Sequence, residues 1–421
     1  MHAPSPRSEV IYLDNNATTR IAPEVFEAMV PFLTEHYGNP SSAYSFGKRV
    51  EGHLIQAREK VAALLGCTPK EIIFTSCGTE SDNAAIWSAL QTTGKKHIVT
   101  TQVEHSAIMN QTEWLEKNGC GVTRLPVAPD GTLSLADVEN AIRDDTAIVS
   151  IMWANNETGV LFPVEEIAAL CKKKGVLFHT DAVQTPGKID LRHVAQSDIN
   201  FLSMSGHKLH APKGVGVLYV KKRTKIVPYV IGGGQERGKR GGTENVASIV
   251  GLGRAAELAL EKLSDEQTRV RALRDRFEDA LLKRLPNLYI NGKRDQRLPN
   301  TANVAFDFVE AEAILMMLDR NGICASSGSA CTTGSLDPSH VLSAMGLTPA
   351  RARSCVRFSF SHYNTDADID YALQVIPPMI EQLRAMSPLN ADHPDNFNYD
   401  VEAAREKEEK LMAQTMAAIN E

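Results

Sequence analysis

Short apolar runs alternate with helical patterns over the first 240 or so residues of the chain. EIIFT from 71, HIVTT from 97, TAIVSIMW from 146, VLFHTDA from 176, INFLSMS from 199 and VGVLYV from 215 each have the length and β-branched content of a strand. Several are apolar on both alternating faces, as strands covered on both sides by helices should be. The alternation predicts an α/β unit built on a mostly parallel sheet. After Gly242 the pattern changes. Two long helical stretches, ENVASIVGLGRAAELALEKL and SDEQTRVRALRDRFEDALLKRL, lead to strands at LYIN, TANVAF and CVRFSFS and to a last helix from Asp366 to about Met386. This predicts a smaller α+β domain attached to the larger one. From Asn390 the chain is polar, with Pro, Asp and Asn, and then reads VEAAREKEEKLMAQTMAAI. There Val401, Ala404, Leu411, Thr415 and Ile419 fall near helical spacing, and Glu406 precedes Lys410 by four, the pattern of a solvated or docking helix on a loose linker. No internal repeat is present.

Composition narrows the function classes. With 421 residues, 43% hydrophobic and 23% charged, the chain is long enough for two or more domains with sizeable cores. A net charge of -6 argues against nucleic acid or an anionic membrane as partner, since both call for a basic surface. No apolar run approaches the roughly 20 residues of a membrane span, and MHAPSPRSEV lacks the apolar core of a secretory signal, so a cytoplasmic protein is expected. The seven cysteines, at 67, 77, 120, 171, 324, 331 and 355, are odd in number, scattered and without CxxC spacing. Neither a disulfide framework nor a structural zinc site fits them.

Candidate chemistry concentrates in DAVQTPGKID followed by SMSGHKLHAPKGVGVLYV. Asp181 and Lys208 fall at the C-terminal ends of two successive predicted strands, where open α/β sheets bind ligands. Alone, Asp181 reads as a turn cap and Lys208 as a surface lysine. Together, with His207 beside the lysine, they match what pyridoxal phosphate requires: an amine for its Schiff base and a carboxylate to keep its ring nitrogen protonated. TSCGTES at 75 to 81 ends a strand and opens a helix, so the N–H groups of Gly78 and Thr79 would face an anion; an ordinary capped helix start reads equally well. Two glycine patterns are set aside. GGGQERGKRGG has Gly233, Gly238 and Lys239 at nucleotide-loop spacing, but Arg240 stands where a Ser or Thr must hold magnesium. GLGRAA, with Gly251, Gly253 and Ala256, lies inside a helical pattern, and close helix packing explains it better.

ICASSGSACTTGS, residues 323 to 335, poses a different question. Cys331 stands among serines, glycines, alanines and threonines, with no large apolar neighbour to bury it. The composition predicts an exposed thiol on a pliable arm. Cys324 and Cys355, in apolar strand-like contexts, read as buried structural cysteines.

These segments in this order resemble the cysteine desulfurases of the NifS/IscS type, pyridoxal-phosphate enzymes of the class V aminotransferase group. The likeness runs from YLDNNATT at 12 through FTSCGTESDN, QVEHSAI, NNETG, HTDAVQ, SGHK, RGGTEN and SSGSACTTGSLDPSH to RFSFS at 357 to 361. It implies the aspartate aminotransferase-like fold type I, a large mostly parallel α/β domain plus a smaller α+β domain. Residues 15–262 would form the large cofactor-binding domain, 1–14 with 263–388 the small one, and 389–421 a C-terminal extension.

The resemblance also implies roles. Lys208 would hold pyridoxal 5'-phosphate, Asp181 would pair with its ring nitrogen, Gln184 would meet its phenolic oxygen, and His105, counted among the catalytic groups, would stack on the ring. Gly78, Thr79, Ser205 and His207 would hold the phosphate, with Thr243 from a second subunit; Thr243 as a plain helix N-cap is the competing reading. Asn156 would sit against the ring and, with Arg357, bind the substrate, the arginine clamping its carboxylate. Cys331 would be the nucleophile that takes sulfur from L-cysteine as a persulfide, for delivery to an iron–sulfur scaffold protein; whether it also ligates a cluster transiently is left open. The implied assembly is a homodimer that binds neither nucleic acid nor membrane. Cys77 departs from the family pattern, which commonly has glycine there, while Gly334, Ser335 and His340 lean towards the branch associated with nitrogenase. Two other readings stand beside this one: another class V enzyme, such as a selenocysteine lyase or an aminotransferase, and a non-catalytic sulfur-carrying scaffold.

Overall fold

The computed structural model describes residues 10–327 and 338–389. Cys331, Gly334, Ser335 and the tail helix expected after Asn390 lie outside the described residues.

All six runs singled out in the first half of the chain form strands of one seven-stranded sheet. After a two-residue strand β1 (Ile11–Tyr12), the chain enters this sheet at β2 (Ile72–Thr75) and β3 (His97–Thr101) and continues through β4 (Gly121–Leu125), β5 (Thr146–Ser150), β6 (Leu177–Asp181), β7 (Phe201–Ser205) and β8 (Gly216–Val220). Their order across the sheet is β2-β8-β7-β6-β5-β3-β4. The pairs from β7 to β4 are parallel, and only β8 runs against both of its neighbours. Residues of β2, β3, β5, β7 and β8 are buried throughout, the consequence of helices on both faces. The strand that the apolar pattern did not reveal is β4, GVTRL, a half-buried edge.

A second core gathers the later elements. Strands β9 (Leu288–Asn291), β10 (Thr301–Phe306) and β12 (Cys355–Ser359) form an antiparallel sheet in the order β12-β10-β9, and β11 (Ile323–Cys324) pairs in parallel with β1. The helix Asp366–Met386 covers this core with Ile369, Ala372, Ile376 and Ile380. Its start is fixed by a capping box between Thr365 and Asp368. Helices Val246–Asp265 and Arg271–Arg284 are joined without a loop by the π turn Glu266–Val270.

Both rejected glycine patterns are accounted for by packing. A Cβ on Gly253 would stand 2.7 Å from Cα of Ala57 in the helix Ser45–Leu65, and one on Gly251 would stand 2.7 Å from the Met29 side chain. These glycines let helices approach closely. GGGQERGKRGG forms a short turn in which Glu236 and Arg237 adopt left-handed backbone angles (φ 46° and 60°). Glu236 is buried there against Arg58, at 2.5 Å, and accepts from the Phe74 N–H at 3.0 Å.

Candidate active site

The parallel strands bring their C-terminal ends to one edge of the large sheet, and the site is built on that edge. Strand β6 ends in Asp181; β7 ends in Ser205 and runs into the tight turn Gly206–Lys208. Strand β2 leads through Ser76 and Cys77 to the helix Gly78–Thr93, and β3 leads to His105, the N-cap of the helix Ser106–Lys117. A cavity of about 850 Å³ opens there. Gly78, Thr79, His105, Asn156 and Asp181 line it, together with Gln184, Ser205, His207 and Lys208 from the next two strand ends. Arg357, on β12 of the other sheet, completes the wall.

Lys208 is held by backbone. Its Nζ donates to the carbonyls of Asn16 at 2.5 Å and Ala17 at 2.7 Å. Burial, with the Arg357 guanidinium adding, lowers this amine to about 7, against the weaker pull of Asp14 and Asp181. Asp181 Oδ1 accepts from the Val183 N–H at 2.8 Å. Burial raises its carboxyl above the usual range, while His105 and Lys208 draw it back. Two more buried acids lie nearby. Burial pushes Glu104 up to about 8 and Asp82 well above the ordinary range, and the charge of Asp181 adds to both.

Burial favours the neutral form of both imidazoles. His105 Nδ1 accepts from the Ala107 N–H at 3.2 Å, which leaves its proton on Nε2, and burial lowers its pKa. His207 pairs with Thr18 Oγ1 at 3.1 Å, and burial and Lys208 lower it to about 4. Arg357 is fully buried: one arm meets Asp14 Oδ1 at 2.8 Å and the other the Asn156 carbonyl at 3.0 Å.

These residues fit pyridoxal phosphate. The helix Gly78–Thr93 points its free N–H groups into the cavity, an anion site by dipole and donors. A Cβ on residue 78 would stand 2.7 Å from Val183, so only glycine lets the backbone come this close. The Gln184 amide oxygen, in the wall, has no partner among the described residues. A buried Asp181 gains from an apposed cationic ring nitrogen, and a Lys208 amine lowered to about 7 has a neutral fraction near pH 7 that is a nucleophile for an aldehyde.

Thr243 is exposed and does not reach this chain's cavity. Nor is it the helix cap of the competing reading: Asn245 caps Val246–Asp265, accepting from the Ser248 N–H. The loop before Thr243 is tied to the helix Gly78–Thr93 by Arg240, which grips Glu80 through Nε at 2.9 Å and Nη2 at 3.1 Å. Cys355 is buried as expected, whereas Cys324 is only half-buried, because its strand is two residues long.

Several site residues escaped sequence reasoning. The carbonyls of Asn16 and Ala17 carry no side-chain signature, although NNAT lies in a quoted motif. Glu104 and Asp82 sit inside VEHS and TESDN, and adjacency to these motifs was the available signal. His340, read only as a branch marker, lines the cavity and brings Nε2 to 2.9 Å from the Glu104 carbonyl.

The model of the family Aminotransferase class-V matches residues 11–372. A cysteine desulfurase of Trichormus azollae is 53% identical over 384 residues, 91% of this chain and 96% of that protein. The cysteine desulfurase NifS of Azotobacter vinelandii is 52% identical over 380 residues, 90% of this chain and 94% of its own length. Among solved structures, a NifS-like protein superimposes with a TM-score of 0.82 at 40% identity, covering 89% of this chain and 99% of that one. The chain belongs to the class-V aminotransferase family, within its cysteine desulfurases of the NifS/IscS type.

Proposed function

We propose that this protein removes sulfur from L-cysteine, releases L-alanine and holds the sulfur as a persulfide on Cys331 for an iron–sulfur scaffold protein. The observation that carries this reading is the pairing of a depressed Lys208 amine with Asp181 at adjacent strand ends, faced across one cavity by Arg357. Both flanks of the segment that bears Cys331 are fixed at this cavity. Ser326 and Arg357 exchange backbone hydrogen bonds, and Ser339 Oγ donates to Glu157 Oε2 at 2.6 Å.

Bound here, pyridoxal phosphate supplies an electron sink that acidifies the substrate Cα–H and weakens the Cβ–S bond. Gly78, Thr79, Ser205 and His207 hold its phosphate, and Asp181 holds the positive charge at its ring nitrogen. Arg357 binds the substrate carboxylate through its planar fork. Lys208 Nζ takes the Cα proton and returns it to the carbon skeleton. The Cys331 thiolate attacks the substrate sulfur: the S–S bond forms, the Cβ–S bond breaks, and its electron pair leaves with the carbon fragment, which takes up a proton and becomes alanine. His105 orients the reacting groups with its single proton on Nε2.

The protein acts as a homodimer, with Thr243 of each chain serving the other's phosphate site. The described residues contain no helix long and apolar enough to cross a membrane, in keeping with a cytoplasmic enzyme. Gly334, Ser335 and His340 together lean towards a role beside nitrogenase by their resemblance to that branch. Incubation with L-cysteine tests the reading: equal amounts of alanine and protein-bound sulfur support it. Transamination without sulfur release, or action on selenocysteine alone, contradicts it.

A further inference from the structure

Lys208 lines a second cavity as well, of about 270 Å³, together with Lys188, His210, Glu266, His362 and Tyr363. It is a wall shared by two cavities, one for cofactor and substrate and one without an assigned role.

The second cavity forms where three stretches of chain meet. Lys188, 7% exposed, comes from the loop after Asp181 and donates from Nζ to the Gln184 carbonyl at 2.9 Å. Glu266, 6% exposed, opens the π turn that interrupts the long helical run. Such a turn shifts side chains off the regular helical face, and π turns recur at functional sites. Glu266 Oε1 accepts from the His362 N–H at 3.0 Å and pairs with its Nδ1 at 3.1 Å. Glu266 Oε2 is buried and has no partner among the described residues. His210, two residues after Lys208 and left-handed at φ 59°, packs its ring 4.7 Å from that of His362. Exposed Glu24 and Lys262 lie at the outer part of the cavity.

A cavity of this size, whose mixed lining includes a buried carboxylate oxygen to satisfy and an ammonium with donors to spare, has room and partners for water. Burial lowers the Lys188 amine to about 8, with Glu266 opposing, so it trades protons readily near neutral pH. We propose that water held between Lys188 and Glu266 is the route by which the proton on Lys208 exchanges with solvent while substrate fills the cofactor cavity. The inference rests on Lys208 being the group that takes the Cα proton. Lys208 gives a proton to a cavity water, which passes one to the Glu266 carboxylate; the Lys188 ammonium gives one back through the water to Lys208, and the outer waters take the proton from Glu266 and restore the one on Lys188, so no bond other than O–H and N–H is made or broken. Lys188 and Glu266 touch no substrate and act as positioning residues.

Two measurements test this. A high-resolution crystal structure of the holoenzyme should show ordered water bonded to Glu266 Oε2 and Lys188 Nζ and reaching Lys208; a dry cavity overturns the proposal. With L-cysteine deuterated at Cα, the native enzyme in ordinary water should release alanine that has lost most of that label. Lys188→Met and the isosteric Glu266→Gln should each retain it severalfold better. Equal retention in all three proteins, or full retention in the native enzyme, overturns the route. Absence of alanine in every arm contradicts the proposed function instead, and the cavity is then judged by its water alone.

Discussion

Burial and the Arg357 guanidinium hold the Lys208 amine near 7, whereas an exposed lysine stays charged to above pH 10. The sign of the consequence is fixed: the amine is protonated and unreactive below that value and neutral above it. Capture of added pyridoxal phosphate by the cofactor-free protein should therefore accelerate as pH rises through about 7 and then level off. Stopped-flow absorbance follows this directly, and a midpoint near 10 would remove Lys208 as the attachment point. Lys208→Ala should keep the fold, lose covalent attachment and lose all turnover. Arg357→Lys is a second case at this scale. The lysine keeps the charge but not the fork, and loss of one charge-assisted hydrogen bond, about 1.5–3 kcal/mol, lowers kcat/KM for cysteine by roughly 10- to 100-fold. Steady-state kinetics on cofactor-loaded variant check it; unchanged kcat/KM would assign the carboxylate to another group.

Among the elements, the glycine-rich segment before Thr243 is held by ion pairs that its sequence does not advertise. Glu236 pairs with Arg58 at 2.5 Å, with side chains 3% and 12% exposed, and caps the Phe74 N–H of β2. Glu236→Ala leaves the half-buried Arg58 with only the Ile72 carbonyl and the Phe74 ring and leaves the Phe74 N–H without its acceptor, which should cost about 1–3 kcal/mol. Urea unfolding measures the loss, and a change below 1 kcal/mol would mean that Arg58 finds another acceptor. This segment also shows what sequence could and could not reveal. RGGTEN was legible as part of a family motif, but the acid that anchors the segment before it lies in a left-handed turn, where neither periodicity nor capping rules reach. Strands β3, β5, β6 and β7 announced themselves because burial on both faces leaves them rich in apolar and β-branched residues. The edge strand β4, half-exposed and carrying Thr123 and Arg124, did not. The reversed direction of β8 was equally hidden, since a strand buried on both faces reads alike either way. Of the site, Lys208 and Asp181 were readable as side chains at strand ends, while the Asn16 and Ala17 carbonyls that hold the lysine are backbone groups with no residue signature.

The whole molecule joins the cofactor edge of the large sheet to Arg357 on the smaller one, and Ser326 and Ser339, on either side of the segment bearing Cys331, are tied to Arg357 and Glu157. A homodimer that shares Thr243 across its interface follows from the proposed function, and sedimentation of the active enzyme should find two chains; a fully active monomer would contradict it. The central claim is that Cys331 takes the sulfur. Cys331→Ala should retain fold, bound cofactor and the spectral response to L-cysteine, since Lys208 and Arg357 remain, and should then stall before alanine appears. The most direct measurement is the mass of the Cys331 peptide after brief mixing of the native enzyme with L-cysteine, with alanine counted in the same sample. The expected result is a peptide heavier by one sulfur atom, matched by alanine and absent from Cys331→Ala. Normal alanine release by Cys331→Ala, or the added sulfur on Cys324, would contradict it.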